Sequence, residues 1–328
     1  FMSTLAIDGG KPVREKMIGF GVPQFGAEEI AEIVDTLQSG WVSTGPKTKK
    51  FEEEFAAYVG AKYAVALNSC TAGLHLSLVV HGIGPGDEVI VPAMTFGATA
   101  NVVEHVGAKP VIADIDPATL CLAPEKIELA ITPRTKAIVP VHYGGMPSAM
   151  DEIRAIAAAH RIPVIEDAAH AVGSKYKGKM IGSLSALSNF SFYANKNLST
   201  GEGGMVTTDD PALEDKLRVY HLHGLSRDAW KRYHTKEFSM SEVVVPGYKY
   251  NMTDIQASLG IHQLRKQEAW IARREEIAGA LFDLLDRIPR RCLASRLRQV
   301  RGDAVVSEVA RDLFHHVGIP VEVYSPGG

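Results

Sequence analysis

Residues 63–73, Tyr63-Ala64-Val65-Ala66-Leu67-Asn68-Ser69-Cys70-Thr71-Ala72-Gly73, decide the fold. An uninterrupted apolar run gives way to small and hydroxylated residues. Such a run reads as a strand buried on both faces, and the Ser or Thr after it starts a helix. The same change recurs downstream. Val89–Val91, Pro110–Ala113, Ala137–Val141, Pro163–Ile165 and Phe190–Tyr193 are short apolar runs bounded by Gly, Pro or Asp, with helical stretches between them. Strands alternating with helices predict βαβ units, an α/β fold with its sheet covered on both faces. Ligands of such sheets lie beyond the carboxyl ends of the strands.

Upstream, Ile30, Ile33, Val34 and Leu37 fall at i, i+3, i+4 and i+7. This spacing predicts a helix from about Gly26 to Gly40 with one apolar face, and Gly40 ends it. Trp41 to Pro46 reads as a loop, and a second helix is expected from Lys50 to Tyr58. Downstream, Pro211–Leu222 is expected as a helix and Thr253–Leu285 as a long helical stretch open to a break. A helix near Ala304–His316 and a strand-like Ile319–Tyr324 follow.

The chain has 328 residues, 46% hydrophobic and 22% charged, which excludes disorder, collagen-like repeats and a disulfide-stapled miniprotein. No apolar run reaches the roughly 18 residues of a spanning helix. A net charge of −3 argues against broad nucleic-acid affinity, and Arg287–Arg301 reads as a solvated basic segment. Three cysteines, Cys70, Cys121 and Cys292, form no C-x-x-C pair, so neither a metal ribbon nor a redox couple is expected. The N-terminus lacks a basic start before an apolar core, so no export signal is read and the cytoplasm is the expected location.

Four segments that follow strands carry chemistry. Ser69, Cys70 and Thr71 stand where helix-start N–H groups favour an anion, although an ordinary N-cap is the commoner use of such residues. Phe96, after Val91, can stack on a flat ring or simply fill core. Glu166-Asp167 ends an apolar run; Asp167 can hold a cation, a metal or a protonated ring nitrogen, or cap a helix, and His170 follows it. Ser191 and Lys196 precede the glycine-rich Gly201-Glu202-Gly203-Gly204. A lysine is nucleophilic only as the free amine, so burial or nearby cations must lower its pKa; otherwise it is a solvated loop lysine. An aldehyde cofactor with a phosphate, a flat ring and a basic ring nitrogen needs a phosphate cup, a stacking aromatic, a carboxylate and an amine. Here they occur in that order.

The chain resembles the DegT/StrS sugar aminotransferases, pyridoxal-phosphate (PLP) enzymes of fold type I. The resemblance runs from about Gly40 to Arg274. It rests on Ser39-Gly40-Trp41-Val42-Ser43-Thr44-Gly45-Pro46, Gly82-Ile83-Gly84-Pro85-Gly86-Asp87-Glu88-Val89, Ile131-Thr132-Pro133-Arg134-Thr135-Lys136-Ala137-Ile138, Glu166-Asp167-Ala168-Ala169-His170-Ala171 and Gly201–Val206. Pro140-Val141-His142-Tyr143, His223-Gly224-Leu225 with Asp228-Ala229-Trp230, and Pro246–Asn251 resemble members acting on 4-ketosugars. Those members stack a Trp where Phe96 stands.

The resemblance implies a large domain (1–255) with a mainly parallel seven-stranded sheet between helices. It also implies a linking helix and a smaller C-terminal α/β domain, of which 256–328 supplies a part. Lys196 would be the Schiff-base lysine and Asp167 the partner of the ring nitrogen. Phe96 would stack, Ser69, Cys70, Thr71 and Ser191 would form the phosphate cup, and His170 would lie near the ring hydroxyl. Lys249 and Asn251 are joint candidates for reaching the partner subunit's phosphate, which implies a homodimer with sites across the interface. L-Glutamate would donate the amine and leave as 2-oxoglutarate, and a nucleotide-linked 4-ketosugar would accept it, for lipopolysaccharide or other amino-sugar synthesis. No metal is implied. A sugar dehydratase relative would carry His in place of Lys196. A non-catalytic regulatory protein of the same fold is the other alternative. A dinucleotide-binding dehydrogenase would need G-x-G-x-x-G, which Asn68–Gly73 lacks.

Overall fold

The computed structural model describes residues 10–11, 21–226 and 242–286. Asp228-Ala229-Trp230, the basic segment Arg287–Arg301, and the expected helix and strand of the last forty residues lie outside them. The backbone divides into two units, Gly21–Glu268 and a second comprising 1–20 and 269–328. The candidate site residues belong to the first.

Among the described residues the strands are β1 (Tyr63–Leu67), β2 (Glu88–Pro92), β3 (Lys109–Ala113), β4 (Thr135–Ile138), β5 (Ile165–Asp167), β6 (Lys175–Tyr176), β7 (Lys179–Met180), β8 (Leu187–Ser191) and β9 (Gly204–Thr208). The helices are α1 (Ala27–Ser39), α2 (Pro46–Val59), α3 (Cys70–Val80), α4 (Ala98–His105), α5 (Pro124–Ala130), α6 (Met150–His160), α7 (Pro211–Tyr220), α8 (Asp254–Arg265) and α9 (Gln267–Asp286).

Strands β1-β9-β8-β5 form one ladder and β3-β2-β4 another. Parallel bridges Ile138↔Val164 and Val141↔Asp167 join β4 to β5, which completes a seven-stranded order β1-β9-β8-β5-β4-β2-β3. β9 alone runs against the rest, pairing antiparallel with both β1 and β8. The mainly parallel sheet of the sequence expectation is therefore present. β9 and the small hairpin β6–β7 carry no apolar-run signal, and β8 begins three residues before the expected Phe190.

Aromatic rings fasten α2 to the sheet. Phe51 meets Phe192, and Phe55 meets both Phe190 and Phe192, all fully buried, with centroids 5.0 to 5.4 Å apart. A Cβ on Gly260 of α8 would lie 2.5 Å from the Phe51 ring, so glycine sets how closely α8 approaches α2. The Gly82–Val89 and Ile131–Ile138 motifs lock each other: buried Glu88 accepts from Arg134 Nη2 (2.6 Å) and Thr132 Oγ1 (2.6 Å).

The helices expected within the described residues form, with two corrections. α1 ends at Gly40 in the left-handed region (φ 74°), as its glycine requires. Its apolar stripe does not face this chain's core, however. Ile30, Val34 and Leu37 are 62%, 44% and 54% exposed, while Glu29 and Thr36 are fully buried. α1 packs on α8 through polar contacts: Thr36 Oγ1 to Ser258 Oγ (2.6 Å), and Gln263 Nε2 and Lys266 Nζ donating to Glu29. The second correction concerns α2, which starts at Pro46 rather than Lys50. The cap that allows this comes from a distant segment. Buried Asp254 accepts from Gly45 N, Lys47 N, Thr48 N and Thr48 Oγ1. The long helical stretch breaks at Lys266, where α8 ends.

Candidate active site

Each chemistry-bearing side chain sits at or just past the carboxyl end of a strand, the edge where open α/β sheets bind ligands. Ser69, Cys70 and Thr71 follow β1, Thr95 and Phe96 follow β2, Tyr143 follows β4, Asp167 ends β5, and Ser191 and Lys196 close and follow β8. All line one pocket of about 350 Å³. A larger cavity of about 850 Å³ lies at the opposite strand ends, around Asp87, Thr135 and Pro163. It contains neither Lys196 nor Asp167.

The floor of the pocket is the start of α3. Ser69 is its N-cap: the hydroxyl accepts from Ala72 N (3.1 Å) and donates to Asn68 Oδ1 (3.3 Å). The side chain of Ser69 is thus engaged in the cap. The N–H groups of Cys70 and Thr71, which have no partner within the helix, remain for an anion. The Cys70 thiol turns inward, donating to Asn189 O (3.4 Å). Burial, and then the charge of Asp167, push its pKa well up, so it is an inert thiol. Ser191 Oγ accepts from Tyr193 N (3.3 Å) and keeps its own proton to donate. Gly204 brings β9 against this turn: a Cβ there would lie 2.4 Å from the Ser69 carbonyl carbon and 2.5 Å from Cys70 N.

Glu166 and Asp167 alternate across the sheet and separate in function. Glu166 is fully buried away from the pocket, accepting from Ser188 Oγ (3.0 Å) and meeting His142 Nε2 (2.7 Å). Ser148 N donates to His142 Nδ1 (3.1 Å), so the neutral ring carries its proton on Nε2, toward Glu166. Asp167 is nearly buried and faces the pocket. No helix follows it, so it is not a helix cap; Oδ1 accepts from Ala169 N (3.1 Å) and Oδ2 from Thr99 Oγ1 (2.8 Å).

Lys196 hangs from the turn after β8, its N–H bonded to Tyr193 O (2.9 Å). Burial lowers its pKa, against the pull of Asp167 and Cys70 in the other direction. Its Nζ lies 2.8 Å from His170 Nε2. Gly144 N donates to His170 Nδ1 (3.3 Å), which puts the neutral ring's proton on Nε2 and aims it at the lysine nitrogen. Burial also holds the His170 pKa below its usual value, and a charge on Lys196 would lower it further. A free amine, the form that attacks a carbonyl, is thereby favoured at Lys196. Phe96 presents a ring that is 80% exposed, with its face available in the pocket. It is not core.

Lys249 and Asn251 are not in this pocket. They lie beside the end of β1, where Leu67 bridges Asn251. Lys249 Nζ donates to Asn251 Oδ1 (2.6 Å), and Asn251 Nδ2 to Thr44 Oγ1 (2.6 Å). Residues outside the candidate set also line the pocket: Thr95, Tyr143, Tyr193, Asn195 and Glu202. Thr99 reaches it through Asp167. The only sequence signal for the Thr pair is two hydroxyls four apart on either side of an aromatic at a strand end.

This set fits pyridoxal phosphate. Helix-start N–H groups and the Ser191 hydroxyl suit its phosphate, Phe96 its ring face, Asp167 its ring nitrogen and the Lys196 amine its aldehyde.

Comparisons with known proteins agree with that chemistry. Residues 23–308 match the family model of DegT/DnrJ/EryC1/StrS aminotransferases. The spore coat polysaccharide biosynthesis protein SpsC of Bacillus subtilis is 56% identical over 276 residues, 84% of this chain and 71% of the relative. Among solved structures, Spr1654 of Streptococcus pneumoniae in its pyridoxamine-phosphate (PMP) form superposes with a TM-score of 0.76 at 40% identity, covering 80% of this chain and 71% of that one. The same protein is also solved in a PLP form. PseC of Helicobacter pylori, an aminotransferase in pseudoaminic acid biosynthesis, gives 0.73 at 31% identity, covering 80% and 68%.

Proposed function

The chain belongs to the DegT/DnrJ/EryC1/StrS family of PLP-dependent sugar aminotransferases, and on that premise we propose that it moves an amino group from L-glutamate to a nucleotide-linked 4-ketosugar. The observation that carries the reading is the convergence of Lys196 and Asp167 on one pocket above the start of α3. When bound, the cofactor supplies an aldehyde and an electron-withdrawing ring for exchanging an amine and a carbonyl.

The protein's own groups do the rest. The N–H groups of Cys70 and Thr71 and the Ser191 hydroxyl hold the phosphate. Phe96 covers one ring face, and the Asp167 carboxylate keeps a proton on the ring nitrogen. Lys196 Nζ, with its basicity lowered by burial, takes up a substrate proton and returns it. His170 Nε2–H orients that nitrogen between transfers.

Two substrates must use the site in turn, with 2-oxoglutarate leaving before the ketosugar enters. The names of SpsC and PseC support a sugar acceptor and a place in surface-polysaccharide or related amino-sugar synthesis. Lys196 itself disfavours a dehydratase, and the complete pocket disfavours a non-catalytic protein. We place the reaction in the cytoplasm, where glutamate and nucleotide sugars are available. We also take the working form as a homodimer. The exposed stripe of Ile30, Val34 and Leu37 supports this, as do Lys249 and Asn251 lying outside their own chain's pocket.

The test is an absorbance spectrum of the PLP-loaded protein before and after L-glutamate, then a panel of UDP-, dTDP- and GDP-linked 4-ketosugars. Conversion of the cofactor band by glutamate, reversed by one ketosugar, is the expected result. A band that glutamate leaves unchanged overturns the donor, and a panel without turnover overturns the acceptor.

A further inference from the structure

Asp167 is not held by its own turn alone. Thr99 is fully buried, and its hydroxyl lies 2.8 Å from Asp167 Oδ2. Thr95 Oγ1 lies 2.6 Å from Thr99 Oγ1. A carboxylate only accepts, so the single Thr99 proton goes to Oδ2. The Thr99 oxygen then accepts, so the Thr95 proton goes to Thr99. Both protons run toward the carboxylate, and each bond polarises the next. Thr95 lines the pocket, with no acceptor for its proton among the described residues other than Thr99.

The two threonines also straddle Phe96. Thr99 N donates to Phe96 O (3.1 Å), so the backbone that presents the exposed ring belongs to the same turn that braces the carboxylate. With the Ala169 N–H on Oδ1, both carboxylate oxygens are fixed, and the plane of the group is set from two elements.

We propose that Thr99, supported by Thr95, is the positioning residue that sets the orientation of Asp167 toward the cofactor's ring nitrogen and couples it to the segment bearing Phe96. The proposal rests on the reading of Asp167 given above. Neither threonine touches the reacting atoms; both act through the carboxylate.

The experiment measures the PLP dissociation constant by absorbance titration of the full chain, with the thermal midpoint of the cofactor-free protein alongside. Variants are Thr99→Val, Thr99→Ser, Thr95→Val, Asp167→Asn and the double Thr99→Val/Asp167→Asn. Thr99→Val should weaken PLP binding about tenfold, equivalent to about 1.4 kcal/mol and near the low end for a hydrogen bond to a charged group. Thr99→Ser should restore binding to within about threefold, and Thr95→Val should show a smaller loss. In the Asp167→Asn background, Thr99→Val should add nothing. A Thr99→Val constant within about twofold of wild type overturns the proposal, with or without a fall in thermal midpoint. The same loss in the Asp167→Asn background also overturns it. If Asp167→Asn itself leaves the constant and the cofactor band unchanged, the Asp167 reading falls and this proposal with it. If Asp167→Asn weakens binding while Thr99→Val does not, only this proposal falls.

Discussion

Replacing Asp254 with alanine should destabilise the protein far more than a surface change. The carboxylate is 1% exposed and takes four hydrogen bonds from the start of α2: Gly45 N at 2.8 Å, Thr48 N at 2.9 Å and Thr48 Oγ1 at 2.6 Å on Oδ1, and Lys47 N at 3.0 Å on Oδ2. Alanine leaves all four donors without this acceptor, and the two on Thr48 are buried. Each bond to a charged group contributes about 1.5–3 kcal/mol, and because four on one carboxylate are not additive, the expected loss is about 4 kcal/mol. For a unit of this size that corresponds to a fall in thermal midpoint of about 8–16 °C. Asp254→Asn keeps the three bonds to one oxygen and sets an amide donor against Lys47 N, so it should cost about 1–2 kcal/mol. Thermal denaturation followed by circular dichroism measures both. An alanine variant within about 2 °C of wild type would refute the capping argument. The loss should reach function too, because the same loop carries Thr44, which donates to Met252 O and accepts from Asn251.

Other outcomes follow from the geometry. Phe96→Ala should leave the thermal midpoint within about 2 °C, since its ring is 80% exposed, yet weaken PLP binding about tenfold; a stability loss without an affinity loss would make Phe96 structural. Stability should fall as pH drops below neutrality. Burial, then the Arg218 charge, lower the His221 pKa to about 4, so the unfolded chain takes up a proton near pH 6.5 that the folded chain refuses until about 4. The stabilisation is complete above the unfolded value and should shrink by on the order of 2 kcal/mol by pH 5. His221→Gln should flatten that slope in a thermal-midpoint series, and a parallel curve would assign the slope to other groups. Val34→Glu on the exposed α1 stripe should shift the protein from dimer to monomer in sedimentation with its circular dichroism unchanged; an unaltered dimer would place the interface elsewhere.

The sheet was legible where its strands are continuous apolar runs, as at Tyr63–Leu67 and Val89–Val91, because burial on both faces leaves no polar position. β9 escapes that rule. Its residues begin with glycine and end in two threonines, so no continuous apolar run marks it, and the buried threonine hydroxyls are satisfied by distant carbonyls, Thr207 donating to Gly182 O and Thr208 to Ala186 O. The helical period of α1 was legible, but its burial was not: periodicity finds an apolar face without saying which surface covers it. The start of α2 depends on Asp254, about two hundred residues away, which no local window contains. In the pocket, Lys196, Asp167 and Phe96 could be found from residue type and position after a strand. Thr99 could not, since a threonine in the first turn of a helix is commonplace until its hydroxyl is seen against Asp167.

The most direct test of the active-site assignment is borohydride reduction of the PLP-loaded protein followed by peptide mapping. Reduction should fix a phosphopyridoxyl group on Lys196 and on no other lysine, and Lys196→Ala should retain none. A label on a different lysine, or cofactor lost on denaturation after reduction, would contradict the assignment of Lys196 as the amine that holds the cofactor.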